Sequence, residues 1–259
     1  MRSAMTRTRS LEFLVGALPI LMILALWQGL SAYGVAPPAI LPAPAKVFAR
    51  LVTQLGNPAF LAHVATTLIR LFSGFAIAVI VGVAIGIAAA GNRTIAAITR
   101  PLVRVLAPVP KVALYPALIL IFGFENTSKI ALVVVDAVFP ILLATYQGAS
   151  MVEPKLVWSA RAAGASARRV LFNVVLMAAL PSVLTGCRIA LIISCIVVFL
   201  AEMITSTDGL GHLLVLAARN FETVDMFVPL IMISMLGLLL DAGFNALRAR
   251  LLVGFPEEG

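Results

Sequence analysis

The sequence predicts an all-α protein that is embedded in a membrane. Of its 259 residues, 62% are hydrophobic and only 12% are charged, whereas about a quarter of the residues in an average soluble domain carry a charge. The mean hydropathy is +1.10. The apolar residues gather in runs that approach the ~20 residues a helix needs to cross the hydrocarbon core. Together these features exclude a soluble globular protein.

Six apolar segments predict six transmembrane helices within a single transmembrane domain, residues 1–259. The first could also be a signal peptide, but its apolar run is longer than such peptides carry. Between the first two segments, residues 33–63 are rich in proline and then amphipathic, which predicts an extended loop followed by a short interfacial helix. The predicted spans are residues 11–32, 68–90, 102–122, 130–147, 180–201 and 227–247.

Small residues recur at every fourth position of the second predicted span. Such a stripe lets another helix approach closely, so this helix is expected inside a bundle. The stripe consists of Gly74, Ala78, Gly82, Gly86 and Ala90.

The formal net charge of +8 is explained by membrane topology rather than by nucleic-acid binding. The basic residues occur in short segments between the apolar runs, without the aromatic-studded basic face that binds nucleic acid. Twelve Lys and Arg fall in the N-terminal tail, residues 91–104, residues 150–177 and the C-terminal tail, whereas five fall in the alternate segments. Because the cytoplasmic side carries the excess, both termini are expected there.

The chain has few residues that could carry enzyme chemistry. No Gly-x-x-x-x-Gly-Lys-Ser/Thr phosphate loop is present, so nucleotide binding of that kind is not expected. His63 and His212 are the two histidines and belong to no His-Glu-x-x-His motif, which argues against a metal centre. Cys187 and Cys195 lie eight residues apart in one apolar run, about 12 Å along a helix, too far to bridge. We therefore expect no catalytic residue, no metal and no cofactor in this chain.

A few ionisable residues lie at membrane depth, where a charge costs about 2.5–3.5 kcal/mol on insertion scales. Each is a candidate for lining a translocation pathway, or else part of a structural ion pair or a snorkelling side chain. For Asp136, which is too short to snorkel, lining the pathway and pairing with a neighbouring helix both remain open. The pathway candidates are Lys111, Asp136, Arg188 and Glu202.

The longest basic interruption between apolar runs is residues 150–177. Gly164 lies between two short amphipathic stretches, which predicts helix, turn, helix. The alternative is an inert amphipathic loop that rests on the inner leaflet.

This interruption resembles the cytoplasmic EAA loop of the permease subunits of bacterial ABC importers. That pattern is Glu-Ala-Ala, three residues, Gly, nine residues and Ile-x-Leu-Pro. Anchored on Gly164, this chain has Trp158-Ser159-Ala160 at the first triplet and residues 174–177 at the last four positions. The glycine and the spacing match, whereas Trp158 replaces the glutamate and Met177 replaces the proline. The residues expected to couple to an ATPase are Trp158, Ser159, Ala160, Arg161, Ala163, Gly164, Ala165 and Ser166.

The resemblance extends over nearly the whole chain and is strongest to the nitrate, sulfonate and taurine permeases. Several matching stretches occur in the right order, which makes the resemblance specific. They are residues 41–44, 63–74 (HVATTLIRLFSG), 110–129 (PKVALYPALILIFGFENTSK) and 186–211.

The resemblance implies the type I ABC importer permease fold in a bacterial inner membrane. It further implies three kinds of partner: a second permease copy in a homodimer, two ATP-binding cassette subunits that hold ATP and Mg, and an extracytoplasmic solute-binding protein. The expected substrate is a small anion such as a sulfonate, taurine or nitrate, with a vitamin or pyrimidine precursor as the alternative. A competing class is an ion-gradient-driven secondary transporter with Asp136 as its ion site, and a third is a membrane enzyme.

Overall fold

The computed structural model describes residues 18–35, 37 and 39–255, which form helices and turns with no β-strand among them. Residues 11–17 of the predicted first span, together with Arg2, Arg7 and Arg9, lie outside the described residues. The helices are α1 (Leu18–Ala32), α2 (Pro44–Leu55), α3 (Pro58–Gly91), α4 (Arg93–Leu106), α5 (Tyr115–Phe122), α6 (Asn126–Ser150), α7 (Pro154–Ala162), α8 (Ala167–Thr205), α9 (Leu210–Arg219) and α10 (Thr223–Leu251).

Four of these helices are long and apolar enough to cross a membrane, namely α3, α6, α8 and α10. They contain the predicted spans 68–90, 130–147, 180–201 and 227–247, so those four predictions are confirmed as helices. α2 coincides with the predicted short interfacial helix. Its apolar residues Val47 and Leu51 are buried.

The predicted span over residues 102–122 is not one continuous helix. Residues 102–106 belong to α4, and the following segment, a 3₁₀ turn at Lys111–Leu114 that continues into α5, is bent from α4 by 92°. The break falls at Pro108 and Pro110, which have no N–H to continue a helical ladder. The bent pair counts as a broken span or a re-entrant loop, which brings the possible spans in the described residues to five.

The chain divides into two compact units, Met1–Leu61 with Leu213–Met232 and Ala62–His212 with Ile233–Gly259. In the first unit, the Trp27 ring lies 5.4 Å from that of Phe227, and its Nε1 donates a hydrogen bond to the Pro42 carbonyl at 3.0 Å. Arg50 pairs with Asp225 at 2.7 Å. The single domain expected from the sequence stays a prediction.

The core of the second unit is formed where α3, α5, α6 and α8 pack together. Its fully buried side chains include Leu71, Tyr115, Leu132 and Val198. Cys187 and Cys195 are buried and free, which fits their expected role as packing residues.

The small-residue stripe of α3 is the surface on which α6 packs. A Cβ placed on Gly74 would lie 2.6 Å from the Val133 Cβ, and one on Gly86 would lie 2.7 Å from the Thr145 Cβ. Real Cβ atoms do not approach so closely, so only glycine permits this separation of the two helices. The predicted close approach along this face is confirmed.

Candidate functional site

Residues 154–175 form the helix-turn-helix segment, which contains all the residues expected to couple to an ATPase. α7 ends in a Schellman motif, because Ala165 N donates to the Ala160 carbonyl at 3.0 Å and Gly164 N to the Arg161 carbonyl at 2.9 Å. Gly164 has a φ of +81°, a conformation that costs an L-residue roughly 1–2 kcal/mol. The side chain of Ser166 then accepts a hydrogen bond from Arg169 N and caps the next helix.

The helix-turn-helix segment leaves its side chains largely uncovered. None of the residues of α7 is buried, and the exposed fraction is 66% for Trp158 and 49% for Leu156. Arg161 and Arg168 are exposed beside them. An apolar and basic surface of this kind is suited to contact with another protein.

A π-helical turn at Leu171–Val175 joins this segment to the long part of α8. π-turns are rare inserts that locally widen a helix and are frequent at functional sites. Because α8 continues without interruption to Thr205, a force applied to the segment would act directly on a membrane-spanning helix.

Lys111 and Asp136 form an ion pair beside the bend between α4 and α5. Lys111 Nζ lies 3.5 Å from Asp136 Oδ1, donates a hydrogen bond to the Ala107 carbonyl at 2.6 Å and sits 4.9 Å from the centre of the Phe139 ring. The ammonium group therefore satisfies a carbonyl at the broken end of α4. Asp136 is thus paired with a neighbouring element, one of the two outcomes that its position allowed.

Arg188 and Asp241 form a bidentate pair between α8 and α10. Arg188 Nε and Nη2 donate to the two carboxylate oxygens at 2.6 and 2.9 Å, and Asn245 holds the same carboxylate at 3.1 Å. The side chains are 41% and 25% exposed. Arg188 lies near the middle of the predicted span, so this exposure places a charged group on a membrane-spanning surface of the protomer.

Among the described residues, the most buried ion pair is Arg70–Glu202, which joins α3 to the end of α8. Arg70 is 2% and Glu202 1% exposed. Glu202 accepts hydrogen bonds from Arg70 Nη1 at 2.8 Å, from the Thr67 hydroxyl at 2.9 Å and from Gly211 N at 3.0 Å. With three donors on one carboxylate, the burial of this charge is well compensated.

The loop 206–209 is attached to the same pair. Arg70 Nη2 also donates to the carboxylate of Asp208, and His63 Nδ1 accepts a hydrogen bond from Gly209 N at 2.9 Å. Partial burial raises the pKa of Asp208. The hydrogen bond and the charge of Arg70 lower this pKa by more, so that it lies below its ordinary value. The His63 and His212 rings stack at 6.2 Å.

Glu202 was a candidate from the sequence, whereas Arg70, one of the five basic residues counted in the alternate segments, was not. The available signal was the position of Arg70 two residues into an apolar run, on the same predicted side of the membrane as Glu202. Lys129 was also not a candidate, because it too was counted among the basic residues of the alternate segments. It is 2% exposed, and its Nζ donates to the Phe124 carbonyl at 2.7 Å.

Among the described residues, no group of three or more His, Cys, Asp or Glu side chains is arranged to hold a metal ion.

Comparison with known proteins gives consistent results over most of the chain. Residues 82–253 match the family model described as binding-protein-dependent transport system inner membrane component. The chain is 31% identical to the taurine transport system permease protein TauC of Escherichia coli (strain K12), covering 94% of this chain and 90% of that one. It is 30% identical to the putative aliphatic sulfonates transport permease protein SsuC of Bacillus subtilis (strain 168), covering 89% and 84%. The formylaminopyrimidine transport permease protein ThiX of Halalkalibacterium halodurans is 29% identical, covering 93% and 94%.

Solved structures with a similar fold are chains of ABC transporters. A chain of the MetNI methionine ABC transporter in an inward-facing conformation superposes with a TM-score of 0.57 at 21% identity, covering 72% of this chain and 91% of that one. A chain of an amino acid ABC transporter crystallised with histidines gives a TM-score of 0.57 at 17% identity, covering 77% and 95%. At these identities the likeness concerns the fold.

Proposed function

Because the chain belongs to the family of binding-protein-dependent transport system inner membrane components, we propose that it forms the membrane pathway of an ATP-driven importer as one half of a homodimer. An extracytoplasmic binding protein delivers the solute. Two separate ATP-binding cassette subunits bind ATP and Mg and supply the energy. The chain itself is a multi-pass inner membrane transport subunit, and catalysis resides in its partner.

The observation that carries this proposal is the uncovered helix-turn-helix segment. A helix without one buried residue contributes little to the stability of its own protomer, so its apolar side chains need another function. Leu156 and Trp158 supply apolar contact area, and Arg161 supplies a solvated charge. In the proposed complex, the ATPase subunit covers this surface and moves the segment when it closes on ATP.

Gly164→Val tests the coupling role directly. Valine is β-branched and cannot adopt a φ of +81° without strain, so the turn between α7 and α8 changes. We expect the ATPase subunit to dissociate and its stimulated ATP hydrolysis in proteoliposomes to fall at least about tenfold, the effect of 1.4 kcal/mol. Helix content and the elution volume of the permease in detergent should not change.

Gly56→Val is the matched control, because Gly56 ends α2 with a φ of −85° that valine adopts. The control should keep ATPase association at the level of the natural protein. Normal association and stimulation in Gly164→Val would contradict the coupling proposal.

We propose the six-pass topology with both termini in the cytoplasm. It is supported by the excess of Lys and Arg in residues 91–104, residues 150–177 and the two tails, and it puts the helix-turn-helix segment on the ATPase side. The six passes are the four long helices, the segment that contains α1, and the bent pair, of which α4 lies along the membrane interface and Lys111–Phe122 enters the membrane.

Arg188 is our first choice among the pathway residues. Its side chain is 41% exposed at a depth where contact with lipid would be costly, so a water-filled pathway or the second permease copy must cover it. Lys111 and Asp136 are the next candidates, at 9% and 19% exposure beside the bend. Glu202 is held by Arg70 and can contribute to the pathway only by positioning the loop after α8.

The proposed substrate is a small organic anion with a sulfonate or similar group. The relatives named for taurine and aliphatic sulfonates support this class, and a half-exposed arginine is a suitable partner for an anionic group. A pyrimidine precursor is the second candidate, because one relative is named for formylaminopyrimidine. Uptake of radiolabelled taurine and of formylaminopyrimidine by the reconstituted importer distinguishes the two. Uptake that persists without an ATPase subunit and requires an ion gradient would overturn the ATP-driven proposal.

A further inference from the structure

α4 presents a basic face to which the transport proposal assigns no binding role. Arg93, Arg100 and Arg104 are separated by seven and four residues, so at about 100° per residue they lie within about 40° of one another around the helix. All three are exposed. Asn92 fixes the start of this helix by accepting hydrogen bonds from Thr94 N and Ile95 N at 2.8 and 3.3 Å.

The opposite side of α4 is apolar and equally exposed. Ile98, Leu102 and Val105 are 64%, 54% and 66% exposed, and they follow one another at helical spacing. A helix with one basic and one apolar face lies in the plane of a membrane interface, with the apolar face against the acyl chains. The 92° bend after α4 agrees with this orientation relative to α5.

Two adjoining cavities open beside the basic face of α4. Their volumes are about 370 and 400 Å³, and Arg100 and Tyr146 line both. Arg104 lines the first cavity, whereas Arg93 and Trp158 line the second. Among the described residues, no acidic side chain lines either cavity, so the electrostatic potential there favours an anion.

Tyr146 holds one of the arginines in place over the cavities. Arg100 Nε donates a hydrogen bond to the Tyr146 hydroxyl at 2.7 Å, and the guanidinium group lies 5.3 Å from the centre of the ring. No contact within the described residues engages Arg104 or Arg93 in the same manner. Both arginines are exposed and line the cavities, so they are available to an anion that binds there.

We propose that these cavities bind the phosphate headgroup of an anionic phospholipid, whose acyl chains lie along the apolar face of α4. The three arginines supply the charge, and each basic residue near an anionic membrane surface contributes about 1 kcal/mol, which corresponds to roughly fivefold in affinity. Tyr146 is a side chain of the type that prefers the headgroup region. The placement in the inner leaflet rests on the proposed topology, whereas the binding of the lipid does not.

Tryptophan quenching provides a direct test. The chain has two tryptophans, so Trp27→Phe leaves Trp158 as the sole reporter at the cavity. The full-length permease is placed in phosphatidylcholine vesicles that contain either phosphatidylglycerol or phosphatidylcholine brominated near the glycerol end of the acyl chains. We expect brominated phosphatidylglycerol to quench Trp158 at a several-fold lower mole fraction than brominated phosphatidylcholine.

Single-charge variants assign the effect to the cavity. Arg104→Gln and Arg93→Gln should each reduce the preference for phosphatidylglycerol about fivefold, and both leave the contact between Arg100 and Tyr146 intact. The matched control is Arg219→Gln, which removes an exposed arginine at the end of α9 and should keep the preference. Elution in detergent at the natural volume verifies that each variant is folded.

Three outcomes would overturn the proposal. They are equal quenching by the two brominated lipids, a preference that survives both arginine substitutions, and a preference that inorganic phosphate abolishes at constant ionic strength. The last outcome would assign the cavities to a free anion. Because the readout needs neither ATPase nor transported solute, a negative result leaves the proposed transport function untouched.

Discussion

Replacing Arg70 by methionine tests whether the Arg70–Glu202 pair holds the end of α8 to α3. The substitution keeps a long, flexible side chain but removes the charge. Glu202 then stays buried at 1% exposure, with the Thr67 hydroxyl and Gly211 N as its remaining donors. A buried carboxylate that loses its cation is strongly disfavoured.

The expected loss of unfolding free energy is about 3–5 kcal/mol, the usual result of removing one partner of a buried ion pair. Arg50→Met is the matched control. The Arg50–Asp225 pair has a short contact of 2.7 Å, but its side chains are 46% and 29% exposed. Exposed pairs of this kind contribute about 0.2–1 kcal/mol. The two substitutions should therefore differ by at least about 2 kcal/mol.

The assay is reversible unfolding of the purified permease in mixed micelles, followed by circular dichroism against increasing denaturing detergent. Arg70→Met should shift the midpoint strongly, and the double variant Arg70→Met with Glu202→Gln should recover part of the loss because the unpaired charge is gone. A loss for Arg70→Met no larger than that for Arg50→Met would refute the reasoning. A double variant at the sum of the two single effects would show that the residues are not coupled.

Two further predictions concern packing and the bend. Gly82→Ala should destabilise by about 1–3 kcal/mol, because its Cβ would lie 2.9 Å from the Ile141 side chain, whereas Gly237→Ala, with nothing within 4 Å, should cause no loss in the same unfolding assay. Asp136→Asn should lower the thermal stability of the complex, because Lys111 then keeps only the Ala107 carbonyl as a strong partner. Adding Lys111→Met should restore the stability, because no unpaired charge remains. Unchanged stability with altered uptake kinetics would instead favour a pathway role for Asp136.

The long helices could be predicted from the sequence because a long apolar segment in lipid has few ways to satisfy its backbone hydrogen bonds. A run of ~20 apolar residues in a membrane must satisfy its backbone internally, which favours a helix whatever its neighbours are. The same logic predicted the packing of α3, because a stripe of glycines has few uses other than close approach. These inferences needed only local sequence.

The bend between α4 and α5 could not be predicted by the same reasoning. A count of apolar residues treats residues 102–122 as one run, although Leu102 belongs to an amphipathic helix that begins at Arg93. The better signals were Arg100 and Arg104, whose spacing continues the basic face of Arg93, and the prolines at 108 and 110. Deciding between an interfacial helix and a span depends on where the bilayer ends, which the composition of a segment does not encode.

The partner of each charged side chain depends on tertiary structure and could not be predicted from the sequence. The exposed fraction of each pair distinguishes a structural role from a proposed pathway role. The Arg70–Glu202 pair is almost fully buried. Glu202 accepts hydrogen bonds from Arg70 and Thr67 of α3 and from Gly211 N, so we assign the pair a role in stability. Arg188 and Asp241 form the better ion pair by geometry, yet 41% of the Arg188 side chain stays exposed. The stability of a bidentate ion pair does not require the arginine side chain to be exposed. Asp241 engages Nε and Nη2 of Arg188, and the remaining exposed surface of the guanidinium group supports the proposal that Arg188 meets an anion in the pathway.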